Sequence, residues 1–318
     1  MRVLYWANMA FAEAQLTAAL SALPITLTIA HSLEEALAHL PECDMVVAPD
    51  CSHEQAERFA PALAASSVRW FQFLSAGRER LTGAGLPTRI EVYGPGNALA
   101  PAVAEHALAL ALSCYRGIPY AARHRGWDRD LTSRLRALEG DTALIVGLGA
   151  IGRDVARRAK AFGMRAMAVT RTPRPSESCE RIEPLDALND LLPQAGVVFL
   201  TLALAPETRH LFGHTQFAAM RQGAFFINVA RGGLVDQPAL AAALDCGHLG
   251  GAGLDVTDPE PLPDSDPLWR APNLIITPHV AANGSWRSEE RLAGTVSRNI
   301  VAIAQKVTDV RDAADSDQ

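Results

Sequence analysis

The stretch ALIVGLGAIGRDVARRA, residues 143–159, limits the possible folds more than any other part of the chain. A strand-like apolar run stops at Gly147 and a helical pattern opens just after it. Gly147-Leu148-Gly149-Ala150-Ile151-Gly152 is therefore a GxGxxG turn between strand and helix. The first glycine allows the tight turn, the second lets a pyrophosphate approach the backbone, and the third lets helix and strand pack closely. N–H groups at the helix start then face the phosphates. This context predicts a dinucleotide site; a plain tight turn and a methyltransferase-type nucleoside site are the competing readings.

A dinucleotide-binding unit commonly carries an Asp or Glu about 20 residues further on, bonded to the ribose 2′-OH of NAD. Here the next strand-like run, RAMAVT, ends in Thr170-Arg171-Thr172, with Arg174 close behind. No carboxylate is left to repel a 2′-phosphate, and a guanidinium can pair with one bidentately. NADP(H) is therefore favoured over NAD(H), with NAD(H) still possible. The alternative is that Arg171 and Arg174 are solvated loop cations beside TPRPS.

Around this turn the whole chain alternates between strand and helix patterns. From residue 1 to about 94, RVLYW, ITLTIA, DMVVAP, VRWFQFL and RIEVY interleave with helical SLEEALAHL and SHEQAERFAPALAA. After the break YGPGN comes a long apolar helix pattern with Pro101 near its start and Gly117 near its end. A second, larger series follows: TALIVG, RAMAVT, VVFLTL, FFINVA, GGAGLDV and NLIITP as strands with helices between them. At 318 residues and 49% hydrophobic content the chain can bury two cores. The expected division is 1–96 with 284–318, and 97–283, because SWRSEERLAGTVSRNIVAIAQKV reads as one last helix able to pack on the first domain. Residues 309–318 read as a frayed acidic tail.

Charge and cysteine content narrow the partners. A net charge of −6, with 20% charged residues mixed along the chain, leaves no basic stripe for nucleic acid. The five cysteines are odd in number and lack any CxxC arrangement, so they read as free thiols in a reducing compartment. The N-terminus lacks the basic start and apolar stretch of a secretory signal, and no apolar run approaches the ~20 residues that cross a bilayer. A cytoplasmic address without membrane or metal partners is the expectation.

Three downstream stretches, FFINVARGGLVD, GLDVTDPEPLPDSDPLW and NLIITPHVA, place Arg231, Glu260 and His279 after strand-like runs. Open α/β sheets bind ligands beyond the carboxyl ends of their strands, so these side chains can converge on one crevice.

Together with SAG at 75–77, VAEHALALAL, APETRHLF and TPHVA, these motifs resemble the D-isomer-specific 2-hydroxyacid dehydrogenases. The family includes glyoxylate/hydroxypyruvate reductases, and the match runs from about residue 70 to 282. The resemblance implies an α/β fold of two Rossmann-like doubly wound parallel-sheet domains, the smaller flavodoxin-like and completed by the C-terminal helix. It implies reduction of a small 2-oxoacid, such as glyoxylate or hydroxypyruvate, to the D-2-hydroxyacid. Arg231 would bind the carboxylate and polarise the carbonyl, and His279 would exchange the proton as hydride is transferred. Glu260 would orient the imidazole and favour its protonated form.

By the same resemblance Asp255 would bond the nicotinamide carboxamide, Val229 and Ala230 would border the ring, and Ala281 would belong to the cofactor site. Leu202, Ala203, Pro206 and Thr208 would line the adenosine side, although Ala203 and Ala205 replace the more usual Pro and Thr. Leu74, Ser75, Ala76 and Gly77 would offer backbone N–H groups to the substrate carboxylate. Arg78 departs from the family pattern; it would extend the positive field toward the substrate or pair at the surface. Trp286 would cap the substrate side chain or anchor the last helix. The other histidines, His106 among them, show no partner set comparable to that of His279. A homodimer joined near 98–116 and RGWDRDL would fit the family. A formate dehydrogenase is disfavoured because that branch pairs its His with Gln. A non-catalytic, nucleotide-sensing corepressor of the same fold is the alternative function.

Overall fold

Mostly apolar strands flanked by helical segments are buried by covering both faces of a parallel sheet. The computed structural model, which describes residues 1–124, 126, 127, 129 and 135–316 with side chains to Lys306, contains two such sheets. The chain divides into two compact units, Met1–Leu99 with Gly284–Gln318, and Ala100–Asn283.

The first unit holds β1 (Arg2–Trp6), β2 (Thr26–Ala30), β3 (Met45–Ala48), β4 (Trp70–Phe73) and β5 (Glu91–Tyr93). All are parallel, in the order β2-β1-β3-β4-β5, the flavodoxin-like arrangement. Alternation along each strand sorts the core into two layers. Leu4, Trp6, Val46, Phe71 and Phe73 face α2 (Leu33–His39) and α3 (His53–Ala65), where Trp6 lies 4.8 Å from the Phe59 ring centre. Val3, Tyr5, Met45, Val47 and Trp70 face α1 (Glu13–Ser21) and the last helix, α11 (Trp286–Ser316). That helix seats Leu292, Val296, Ile300 and Ile303 in the layer, and Asn299 Nδ2 donates to the buried Gln72 Oε1 at 2.7 Å. A short α4 (Glu79–Gly83) follows β4.

The second unit begins with α5 (Ala100–Tyr115) and α6 (Ile118–Arg123). Its strands are β6 (Thr142–Val146), β7 (Arg165–Thr170), β8 (Arg181–Pro184), β9 (Val197–Leu200), β10 (Phe225–Asn228), β11 (Gly251–Leu254) and β12 (Leu274–Ile276). They run parallel in the order β12-β11-β10-β9-β6-β7-β8. The connections are α7 (Ala150–Ala161), α8 (Leu188–Leu191), α9 (His214–Ala219) and α10 (Gln237–Asp245). The chain winds outward from β6 and then returns to start again at β9, so the switch point lies between those two strands.

Several details differ from the pattern reading. The sequence RIEP forms β8, an edge strand whose alternating charged residues and proline conceal it in a hydrophobicity scan. Helices α1, α4 and α6 also have no counterpart in that reading. The helix LDALNDLLPQA breaks into α8 flanked by two 3₁₀ turns, because Pro193 removes an N–H. Residues 309–316 continue α11 where a frayed tail was expected, since no Gly or Pro follows Gly294 to stop it. In RGWDRDL, Arg125, Asp128, Asp130 and Leu131 lie outside the described residues, as do 317 and 318. All five cysteines are free. No described helix is long and apolar enough to cross a membrane.

The packing of α11 gives a direct stability test. Ile300 is fully buried and Val301, beside it, is 38% exposed. We expect Ile300→Ala to lower unfolding free energy by about 2–5 kcal/mol, and Val301→Ala to change it by about 0.5 kcal/mol or less. Urea denaturation of the two variants beside the parent measures both.

Candidate active site

The glycine turn lies at the switch point. Gly147 follows β6 with φ of 102°, and a Cβ there would meet the Leu202 backbone, beyond β9, at 2.7 Å. A Cβ on Gly152 would strike the Gly147 carbonyl, while Thr201 Oγ1 donates to that same carbonyl at 2.7 Å. The first and third glycines are thus required by neighbouring protein atoms. Gly149 is different: a Cβ there would meet nothing within 4 Å. It caps α7 without a side-chain hydrogen bond, and the first turn carries no acid. Unsatisfied N–H groups beside an open backbone fit a pyrophosphate. The helix macrodipole favours the same negative charge.

Around this turn the other expected cofactor residues fall into two kinds. Thr170 is half-buried at the end of β7, whereas Arg171, Thr172 and Arg174 are exposed. Neither arginine has a hydrogen bond or ion pair among the described residues. Thr208 is buried, and its hydroxyl closes its own turn: it donates to Ala203 O at 3.0 Å and accepts from Ala205 N at 2.8 Å. Its hydroxyl thus holds the 203–208 loop in shape, with Pro206 in the 3₁₀ turn it closes and Leu202 8% exposed at its base.

Arg231, Glu260 and His279 lie in the loops that leave β10, β11 and β12, three neighbouring strands. Backbone contacts lock these loops together. Asp255 N donates to Asn228 O at 2.9 Å, and Thr277 N to Leu254 O at 2.8 Å. A Cβ on Gly232 would strike the Thr257 carbonyl, so only glycine admits the approach of the Arg231 loop to Thr257. Gln237 bridges the same region, accepting from Asp258 N at 2.7 Å and donating to Asp258 O at 3.0 Å.

The side chains are set by this framework. His279 Nδ1 is 2.9 Å from Glu260 Oε2, and Glu260 Oε1 accepts from Thr257 N at 3.1 Å. The imidazole is half exposed, and Nε2 has no partner among the described residues. Arg231 is partly buried with Val229 and Ala230 buried just before it, and its Nη1 donates to Ala230 O at 2.6 Å. Asn228, fully buried, accepts from Ala230 N and donates to Arg231 O, both at 2.9 Å. It shapes the loop that presents the guanidinium. In the sequence Asn228 only ends an apolar strand run, so hydrophobic periodicity gives no sign of this role.

Asp255 is 2% exposed. Its carboxylate accepts from Thr277 Oγ1 at 2.6 Å, Val280 N at 2.9 Å and Ala281 N at 2.9 Å, and its carbonyl accepts from His279 N at 2.8 Å. Ala281 is buried by this clamp. His106, for which no partner set was expected, stands 2.9 Å from Thr277 Oγ1. Among the described residues no group of three His, Cys, Asp or Glu side chains could hold a metal.

In the first unit, Leu74 N donates to Ala48 O at 2.9 Å and is not available to a ligand. The N–H groups of Ser75, Ala76 and Gly77 have no acceptor among the described residues. Asp50 holds this loop: its N–H donates to Ser75 Oγ, and its carboxylate accepts from Arg80 N and Leu81 N, all at 3.1 Å. Arg78 is exposed, and its N–H donates to Glu79 Oε2 at 3.0 Å. Trp286 is 61% exposed with Arg287 5.3 Å from its ring centre, so burial of this ring does not anchor α11.

A family model described as D-isomer specific 2-hydroxyacid dehydrogenase, NAD binding domain, matches residues 108–281. A glyoxylate reductase/hydroxypyruvate reductase of Mus musculus is 35% identical over 247 residues, 75% of each chain. A D-3-phosphoglycerate dehydrogenase of Methanocaldococcus jannaschii is 38% identical over 213 residues, 65% of this chain but only 40% of that longer protein. Among solved structures, a D-isomer specific 2-hydroxyacid dehydrogenase family protein from Aeromonas salmonicida superposes with a TM-score of 0.79 at 31% identity, covering 96% of both chains. The chain belongs to the D-isomer-specific 2-hydroxyacid dehydrogenase family.

Proposed function

We propose that the protein reduces a small 2-oxoacid of the glyoxylate or hydroxypyruvate type to the D-2-hydroxyacid, with NADPH as the preferred reductant. The observation that carries this reading is the His279–Glu260 pair, 2.9 Å apart on a half-exposed imidazole, in loops that leave the strands beside the one that carries Arg231. Gly149, the open N-terminus of α7, Arg171 and Arg174 would hold the nucleotide, and Val229, Ala230 and Ala281 would border its ring. When bound, the nicotinamide supplies a hydride to the substrate carbonyl carbon.

The protein's part is charge and proton placement. Arg231 grips the carboxylate through its planar fork and draws electron density toward the carbonyl oxygen. His279 Nε2 delivers the proton that oxygen needs as the C–H bond forms, and takes it back in the oxidative direction. Glu260 holds Nδ1, so the ring cannot turn its reactive nitrogen away, and it balances the imidazolium charge. Within the first unit, the open N–H groups of Ser75, Ala76 and Gly77 can take an anion such as a carboxylate. We assign a homodimer to the neighbourhood of α5 and RGWDRDL, where Ile118 and Trp127 are exposed.

Initial rates for glyoxylate, hydroxypyruvate, pyruvate and bulkier 2-oxoacids, each with NADH and NADPH, test the reading. We expect turnover fastest with the two smallest polar substrates and with NADPH. An NADH preference of about tenfold or more would contradict the cofactor assignment. His279→Gln should lower kcat about 10²–10⁴-fold, and Arg231→Lys should weaken substrate capture because an ammonium cannot replace the fork. The double variant Arg171→Ala/Arg174→Ala should raise KM for NADPH about 10²–10⁴-fold, since each of the two lost charged hydrogen bonds costs about 1.5–3 kcal/mol. Its KM for NADH should stay at the parent value.

A further inference from the structure

The turn that carries His279 is held from a helix that touches none of the reacting groups. His279 has φ of 54°, a left-handed conformation that a non-glycine residue keeps only when its surroundings enforce it. The enforcing group is Asp255, whose carboxylate and carbonyl engage Thr277, His279, Val280 and Ala281. Asp255 is in turn held by Thr277, and Thr277 by His106 of α5.

We propose that His106 and Thr277 are positioning residues for His279, acting through Asp255; this rests on the reading of His279 as the proton donor. The direction of the hydrogen bonds follows from proton counting. A hydroxyl has one hydrogen, and Thr277 gives it to Asp255 Oδ1 at 2.6 Å, so its oxygen must accept from His106 Nε2 at 2.9 Å. His106 therefore carries its hydrogen on Nε2, which also lies 3.5 Å from Asp255 Oδ1. Its backbone cannot drift, because Val103, Ala104, Ala107, Leu108, Leu110 and Ala111 bury α5 against the sheet. Loss of His106 leaves the Thr277 hydroxyl with no donor to orient it. The hydroxyl can then turn from Asp255, and the bonds that force the His279 backbone into its turn slacken together.

The test compares His106→Leu with His106→Gln, whose amide can return an N–H to Thr277, and Thr277→Val with Thr277→Ser. We expect His106→Leu and Thr277→Val to lose about 10–100-fold in kcat, as a proton donor displaced by a fraction of an ångström would. KM for the 2-oxoacid should stay within about twofold of the parent, because Arg231 is untouched. Gln and Ser should recover most of the rate. A His106→Leu enzyme with parental kcat would overturn the proposal, as would a His106→Gln enzyme that falls as far as His106→Leu. Should His106→Leu not fold, the Thr277 pair decides on the same criteria. Imidazole ¹H–¹⁵N spectra of the protein without substrate give a second readout. The His279 signals, assigned by their loss in His279→Gln, should shift in His106→Leu. Unmoved signals overturn the proposal. Shifted signals in a protein that turns over no 2-oxoacid uphold the clamp and reject only the functional reading beneath it.

Discussion

Asp255 lies almost fully buried where β11 ends, and a buried carboxylate is tolerated only when its oxygens are occupied. Here both are, by a threonine hydroxyl and by two N–H groups of one short turn. Because those partners are strictly local to 277–281, satisfying the charge dictates the shape of that turn. The shape puts His279 in a left-handed conformation and brings its ring to Glu260. The desolvation of one acid is thereby coupled to the placement of an imidazole 24 residues further along the chain.

A parallel sheet explains why residues so far apart in sequence can cooperate. Each strand delivers its chain to the same edge, so the loops after β10, β11 and β12 are neighbours although helices and long connections separate them. The glycine turn after β6 shares that edge, pressed against the Leu202 backbone beyond β9. Glycine turn, guanidinium and imidazole thus share one end of the seven-stranded sheet. Asn228 and Gln237 then tie the loops to one another, so the side chains stand on a braced surface and not on independent loops.

Much of this was legible in the residues. Apolar runs without alternation announced buried parallel strands, and every strand reached through such a run is present. GLGAIG announced its turn because three glycines at that spacing between strand and helix have a steric reason to be there. What escaped notice lacked a local signature. β8 carries charged residues and a proline; α1, α4 and α6 are short and, in α1, without a capping side chain. His106 and Thr277 are 171 positions apart, and nothing in either neighbourhood hints at the other. Asn228 is a polar residue whose partners are backbone atoms, and the loop-closing bonds of the Thr208 hydroxyl are likewise to backbone, which periodicity does not see. Leu74 was grouped with its loop, yet its N–H still belongs to the sheet.

The most direct measurement is a crystal structure with NADP⁺ and oxamate, a 2-oxoacid analogue that resists reduction. The account predicts two of the three Arg231 guanidinium nitrogens on the oxamate carboxylate and His279 Nε2 within about 3.2 Å of its carbonyl oxygen. Oxamate bound with Arg231 or His279 turned away from it would contradict the account.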